Sequence, residues 1–157
     1  MQGTLDNATI YGIQYSKEHF GISGTQISKV TIPYNTQSGQ TNTGYLVAQV
    51  FGNDNQLIAS YYSEGTHTFS NTGPAVFNFK DTYIAINYKF IRFILVANKT
   101  VALPTSYNSV NSNCLSFRAR PIKWSDSFTF DDDACLVYSN QNTDTINWLV
   151  GMTITYK

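Results

Sequence analysis

Apolar residues along the chain recur most often at every second position. Leu115, Phe117 and Ala119 alternate with Ser116, Arg118 and Arg120, while Trp148, Val150, Met152, Ile154 and Tyr156 fall on one face. Shorter alternations hold Val30, Ile32 and Tyr34, then Ala75, Phe77 and Phe79, then Phe128 and Phe130. In a strand, successive side chains point to opposite faces, so each run predicts a strand with one buried and one wet face. Residues 45–51 and 90–96 are apolar at nearly every position. They predict central strands, covered on both faces or facing a partner subunit.

Turn residues punctuate these runs. Gly52-Asn53-Asp54-Asn55 sits between the 45–51 run and Leu57–Tyr62, which predicts a β-hairpin. Similar clusters occur at 39–44, 70–74, 104–113 and 139–144, and a single short helical turn is expected near Ser16 to Phe20. About nine or ten short strands with little or no helix describe an all-β protein. The chain is longer than the ~100 residues of an immunoglobulin domain, so an antiparallel β-sandwich of jelly-roll type fits better. No linker-like stretch divides it, and residues 1–157 are expected to form one domain. The predicted core comprises Val30, Ile32, Leu46, Ala48, Val50, Phe77, Phe79, Ile94, Leu115, Phe117, Val150, Met152 and Ile154, with Trp148 beside them.

Composition narrows the partners. Ten basic and ten acidic residues cancel, so no net field draws the chain to nucleic acid or to anionic lipid. Charged residues make up 13%, about half the usual share. Fifteen Asn, eighteen Thr and fourteen Ser fill the gap, with eleven Tyr and ten Phe. An apolar content of 42% with so many rings is enough to offset chain entropy, so disorder is excluded. The chain has no apolar run of about 18 residues to span a membrane, and neither a secretory leader nor a repeat is visible. Cys114 and Cys135 lie in no metal-binding spacing and are expected as free thiols, with a Cys114–Cys135 disulfide as the alternative in an oxidising setting.

Candidate chemistry is sparse. A nucleophile would need His19 or His67 as its base, and neither sits in a catalytic frame. A glycosidase would need paired carboxylates, yet Glu18 and Glu64 are isolated glutamates. Asp131, Asp132 and Asp133, with Asp126 upstream, form the one acidic cluster in sequence. Such oxygens suit calcium, but the EF-hand spacing and glycine are missing, and a solvated strand-end turn is the favoured reading. No cofactor or metal is expected. Arg92, alone in an apolar run, is read as structural or as a subunit contact.

Aromatic residues beside polar turns suit a sugar, whose C–H face stacks on a ring while its hydroxyls take hydrogen bonds. Trp124 and Tyr107 lead the candidates, followed by Tyr61 and Tyr62, with Asn53, Asp54, Asn108 and Arg120 as polar neighbours.

Residues 83–93, Tyr-Ile-Ala-Ile-Asn-Tyr-Lys-Phe-Ile-Arg-Phe, and the hairpin at 47–59 resemble segments of discoidin-like jelly-roll modules. Such modules are similar to carbohydrate-binding modules and to bacteriophage tail proteins that attach to cells. The resemblance spans roughly residues 45–97 and implies a non-catalytic recognition module. The expected setting is the receptor-binding tip of a bacteriophage tail fibre, extracellular on the virion, with a cell-surface glycan of a bacterial host as partner. A homotrimer is expected, both because such tips are usually trimeric and because the 90–96 run offers surplus apolar surface. The competing readings are a polysaccharide hydrolase using Glu64 or the Asp126–Asp133 region, and a purely structural virion or pilus-like subunit.

Overall fold

The computed structural model describes residues 5–34, 42–69, 74–98, 101, 103, 106–107, 114–124, 146–147 and 152–157. Eleven strands and one helical turn follow in the order β1 (Leu5–Ser16), α1 (Lys17–Phe20), β2 (Thr25–Ile32), β3 (Asn42–Phe51), β4 (Leu57–Tyr62), β5 (His67–Phe69) and β6 (Ala75–Ile84). They continue with β7 (Phe90–Ala97), β8 (Ser106–Tyr107), β9 (Cys114–Trp124), β10 (Ile146–Asn147) and β11 (Thr153–Tyr156). Every pairing is antiparallel. The larger sheet runs β4-β3-β7-β1-β9, with β5 also on β3; the second is β11-β2-β6, and β10 pairs β8.

The two apolar runs are neighbours at the centre of the larger sheet, as patterning predicts. All eight residues of β7 are buried, and β3 is buried at every position but Thr43. Two faces of the sheet are therefore covered. From one face Tyr11, Ile13, Leu46, Ala48, Val50, Ile91, Phe93, Leu95 and Ala97 enter a core shared with Ile27, Val30, Ile32, Ala75, Phe77, Phe79 and Ile84 of the second sheet. The chain is an antiparallel β-sandwich. Ile94, Val96, Val47 and Ile10 are fully buried outside this shared core. Since β7 is covered within one chain, the surplus surface that motivated a trimer is absent from it.

The second sheet keeps the wet face that alternation requires. In β6 Ala75, Phe77 and Phe79 are buried between exposed Val76, Asn78 and Lys80. The phase then slips at Asp81, which takes φ 56°, and Thr82 and Ile84 become the buried residues. Ile27 pairs Thr82 and Lys29 pairs Asn78, so three residues of β6 oppose Ser28 alone. This bulge re-aims the strand, and an Asp tolerates its left-handed residue better than a branched side chain would.

Several expectations shift. Ile94 is buried, but outside the shared core, and Met152 and Ile154 are partly buried at its edge. The β9 strand carries Leu115 and Phe117, of which the backbone is described; Val150, Trp148, Phe128, Phe130 and Cys135 lie outside the described residues. His67 is on β5 opposite Gly44. Its ring is half-buried among Tyr34, Phe69 and Phe77, at 5.7, 4.9 and 5.9 Å.

Candidate functional site

Strand register brings three strand ends together at one end of the larger sheet. Ser16 of β1 pairs Phe90 of β7, and Phe90 pairs Phe51 of β3. Just past these residues lie α1, the 52–56 turn and the 85–89 loop. Two backbone bonds tie them: Lys17 N–H donates to Lys89 O at 2.9 Å, and Lys89 N–H to Phe51 O at 2.7 Å. Between them opens a groove of about 590 Å³. Gln14, Ser16 and Phe90 line it from the strands, Lys17 and Glu18 from α1, Asn53 from the turn, and Asn87, Tyr88 and Lys89 from the loop.

The turn is held by its own sequence. Gly52 N–H donates to Gln56 O, Asn55 N–H to Gly52 O, and Gln56 N–H to the Asp54 carboxylate at 3.1 Å. Asn55 takes φ 60°, which Asn tolerates because its short side chain bonds locally. That side chain accepts from the Lys89 ammonium at 2.8 Å. Asp54 thus builds the turn, and Asn53 is left to face the groove.

A buried cation underlies the groove. Arg92 is 1% exposed, and its guanidinium lies 4.6 Å from the Phe51 ring and 5.3 Å from the Phe90 ring. Those rings stack on each other at 4.6 Å and 18°. Arg92 Nε donates to Gln14 Oε1 at 2.7 Å, so the lone Arg of the apolar run is structural, through stacking and a side-chain acceptor. At the groove wall the Lys17 ammonium donates to Ile86 O and sits 5.8 Å over the Tyr88 ring. Tyr88 O–H donates to Ile22 O at 2.7 Å. Burial above all, then the neighbouring Tyr156 and Glu18, pushes its phenol up to about 12.

The sequence candidates are scattered by this fold. Asn53 alone among them lines the groove. Tyr61 and Tyr62 lie at the far end of the β3–β4 hairpin, paired with Ala48 and Val47. Tyr61 packs on the core and donates its hydroxyl to Tyr83 O at 2.9 Å, while the Tyr62 ring stacks on Tyr45 at 5.7 Å. Both rings serve strand packing. Trp124 ends β9 opposite Leu5, the other end of β1 from Ser16, roughly 35 Å away at strand rise. It therefore shares no site with Asn53. Arg120 falls, with Pro121, where β9 slips register against β1, the position at which a strand admits proline. Tyr107 pairs Ile146 in the β8–β10 ladder. Asn108, Asp126, Asp131, Asp132 and Asp133 lie outside the described residues.

Sequence reasoning missed Gln14, Lys17, Glu18, Asn87 and Lys89. Each is an ordinary polar residue in its own segment, and only the Ser16–Phe90–Phe51 register joins them. Among the described residues Glu18 is the one carboxylate lining the groove, and Glu64 sits by Asn78, to whose carbonyl its N–H donates at 2.8 Å. Burial holds the His67 imidazole below its ordinary value. No group of three metal-ligating side chains occurs among the described residues, and none of the described helices is long and apolar enough to cross a membrane.

Comparison of the chain with protein-family models, with curated proteins and with solved structures finds no match.

Proposed function

We propose that the chain is a non-catalytic recognition module that binds a hydroxyl-rich cell-surface glycan in the groove beside β1, β3 and β7. The reading rests on one observation: three connections present polar side chains around a single open groove, two of them hung from β3 and β7, strands buried on both faces. Sites of this kind combine a rigid frame with loop-borne donors and acceptors. The amides of Asn53 and Asn87 offer both kinds of group, as vicinal hydroxyls require. Service at the tip of a bacteriophage tail fibre and the jelly-roll topology belong to the same proposal, on the strength of the resemblance across 45–97.

A glycan array tests it. The purified chain should retain a defined subset of glycans, and Asn53→Ala with Asn87→Ala should weaken that binding about three- to tenfold per amide, the worth of one net hydrogen bond. Release of shorter oligosaccharides during incubation would instead establish a hydrolase. Failure to retain any glycan would leave the structural-subunit reading in its place.

A further inference from the structure

Arg92 decides which way the Gln14 amide faces. A guanidinium has donors and no acceptor, so the Nε–H at 2.7 Å from Gln14 Oε1 requires the oxygen on that side. The amide nitrogen of Gln14 is thereby turned away, and it makes no hydrogen bond among the described residues. Arg92 is held in place by the Phe51 and Phe90 rings, so the amide cannot flip without setting N–H against N–H. A residue lining the groove is therefore locked as a donor.

The two ammonium groups act in the same direction. Lys17 is pinned by the Ile86 carbonyl and the Tyr88 ring, and Lys89 by the Asn55 amide oxygen. Each spends one of its three donors in this way and keeps the others. Glu18 is the one opposing charge lining the groove among the described residues. A neutral sugar hydroxyl can accept from these donors, with two lone pairs to its one proton, but it brings no charge to oppose the surplus ammonium. A carboxylate brings acceptors alone, and its bonds to ammonium and amide groups are roughly twice as strong as neutral ones.

We infer that the groove selects glycans carrying a carboxylate, with Lys17, Lys89 and Gln14 as its donors and Arg92 as the positioning residue that fixes Gln14. The inference rests on the recognition reading above and names its ligand class. Its test is an array in which hexuronic-acid and sialic-acid oligosaccharides are each printed beside their carboxyl-reduced counterparts. The acidic members should bind at least about tenfold tighter than their reduced forms. That advantage should shrink as salt rises from about 0.05 M to about 0.5 M. Gln14→Glu keeps an acceptor for Arg92 but replaces the donor with negative charge; it should lose the acid preference without lowering the thermal midpoint. Lys89→Gln, an exposed change, should lower the preference several-fold. Which acid binds separates the two sugar sources. Equal binding of acidic and reduced members would overturn the inference and leave the recognition reading standing, as would an acid preference untouched by both variants. An array on which neither class binds would overturn both.

Discussion

Gly44→Ala should destabilise this protein, although alanine is ordinarily the better strand residue. Gly44 lies on β3, between Ala97 of β7 and His67 of β5, and it does not occupy the left-handed region. Glycine is there for space. A methyl group added at Gly44 would stand 2.8 Å from Val96 O, 3.2 Å from the Phe69 ring and 3.3 Å from the Ala97 Cα, against an ordinary 3.4–4 Å. Two of the three neighbours are backbone in a strand paired on both sides, so relief must come from parting β3 and β7 by about half an ångström. That strains the adjoining clasp, in which Asn98 N–H donates to Thr43 O and Thr43 N–H to Asn98 Oδ1, both at 3.0 Å. Overpacking of this kind costs about 1–3 kcal/mol, and the lower entropy of an unfolded alanine returns about 0.4–1 kcal/mol. A net loss of about 1.3 kcal/mol follows at the middle of those ranges, or roughly 3–5 °C in Tm for a chain of this length. Urea unfolding with an unchanged slope measures it, and hydrogen exchange should quicken first at the β3–β5 and β3–β7 contacts. Gly65→Ala supplies the contrast: φ is +64° with open space around it, so its cost is backbone strain of about 1 kcal/mol without loosening of β3. A Gly44→Ala protein as stable as the parent would refute the close-approach argument.

Arg92→Ala removes a buried stem stacked on two rings and orphans the Gln14 amide; a loss of about 3–4 kcal/mol in urea unfolding is expected. Phe93, fully buried in the shared core, should cost about 3–5 kcal/mol as alanine, whereas Ile86→Ser, at 66% exposure, should stay within about 0.5 kcal/mol. Tyr88 titrates near 12 in the fold against 10.0 in the open chain. A raised folded value means its contribution is complete below pH 10 and is lost as pH climbs to about 12; Tyr88→Phe should flatten that part of the stability–pH curve. His67 titrates below 6.5 through burial, so stability should decline as pH falls below 6.5, and His67→Phe should remove the decline in the same titration.

Legibility followed burial geometry. Strands with one wet face, such as β6 with Ala75, Phe77 and Phe79 buried between exposed neighbours, write their period into the sequence. Strands covered on both faces, β3 and β7, announce themselves by unbroken apolar runs, and the helical turn at Lys17–Phe20 fell where expected. The strand β1 carried neither signature. Its buried positions include Thr9 and Gly12 among Ala8, Ile10 and Tyr11, a mixture of polar, small and apolar residues that reads as no pattern. The groove was legible only at Asn53. Its remaining residues come from segments more than thirty positions apart that meet through register, and register is a property of pairs of strands rather than of either one.

The place of β1 between β7 and β9 sets the order in which the chain can be completed. During synthesis, at about 5–20 residues per second, the β3–β4 hairpin can close within microseconds of emerging. The first strand cannot: its nearest partner begins at Phe90 and its other at Cys114. For several seconds it waits as an unpaired ribbon, its apolar residues open to any other strand in reach. The nascent chain should accordingly lean on ribosome-associated chaperones early and fold on the slow, millisecond-to-second scale of non-local β topologies after release. A truncation halting at residue 89 should fail to bury its first strand at all.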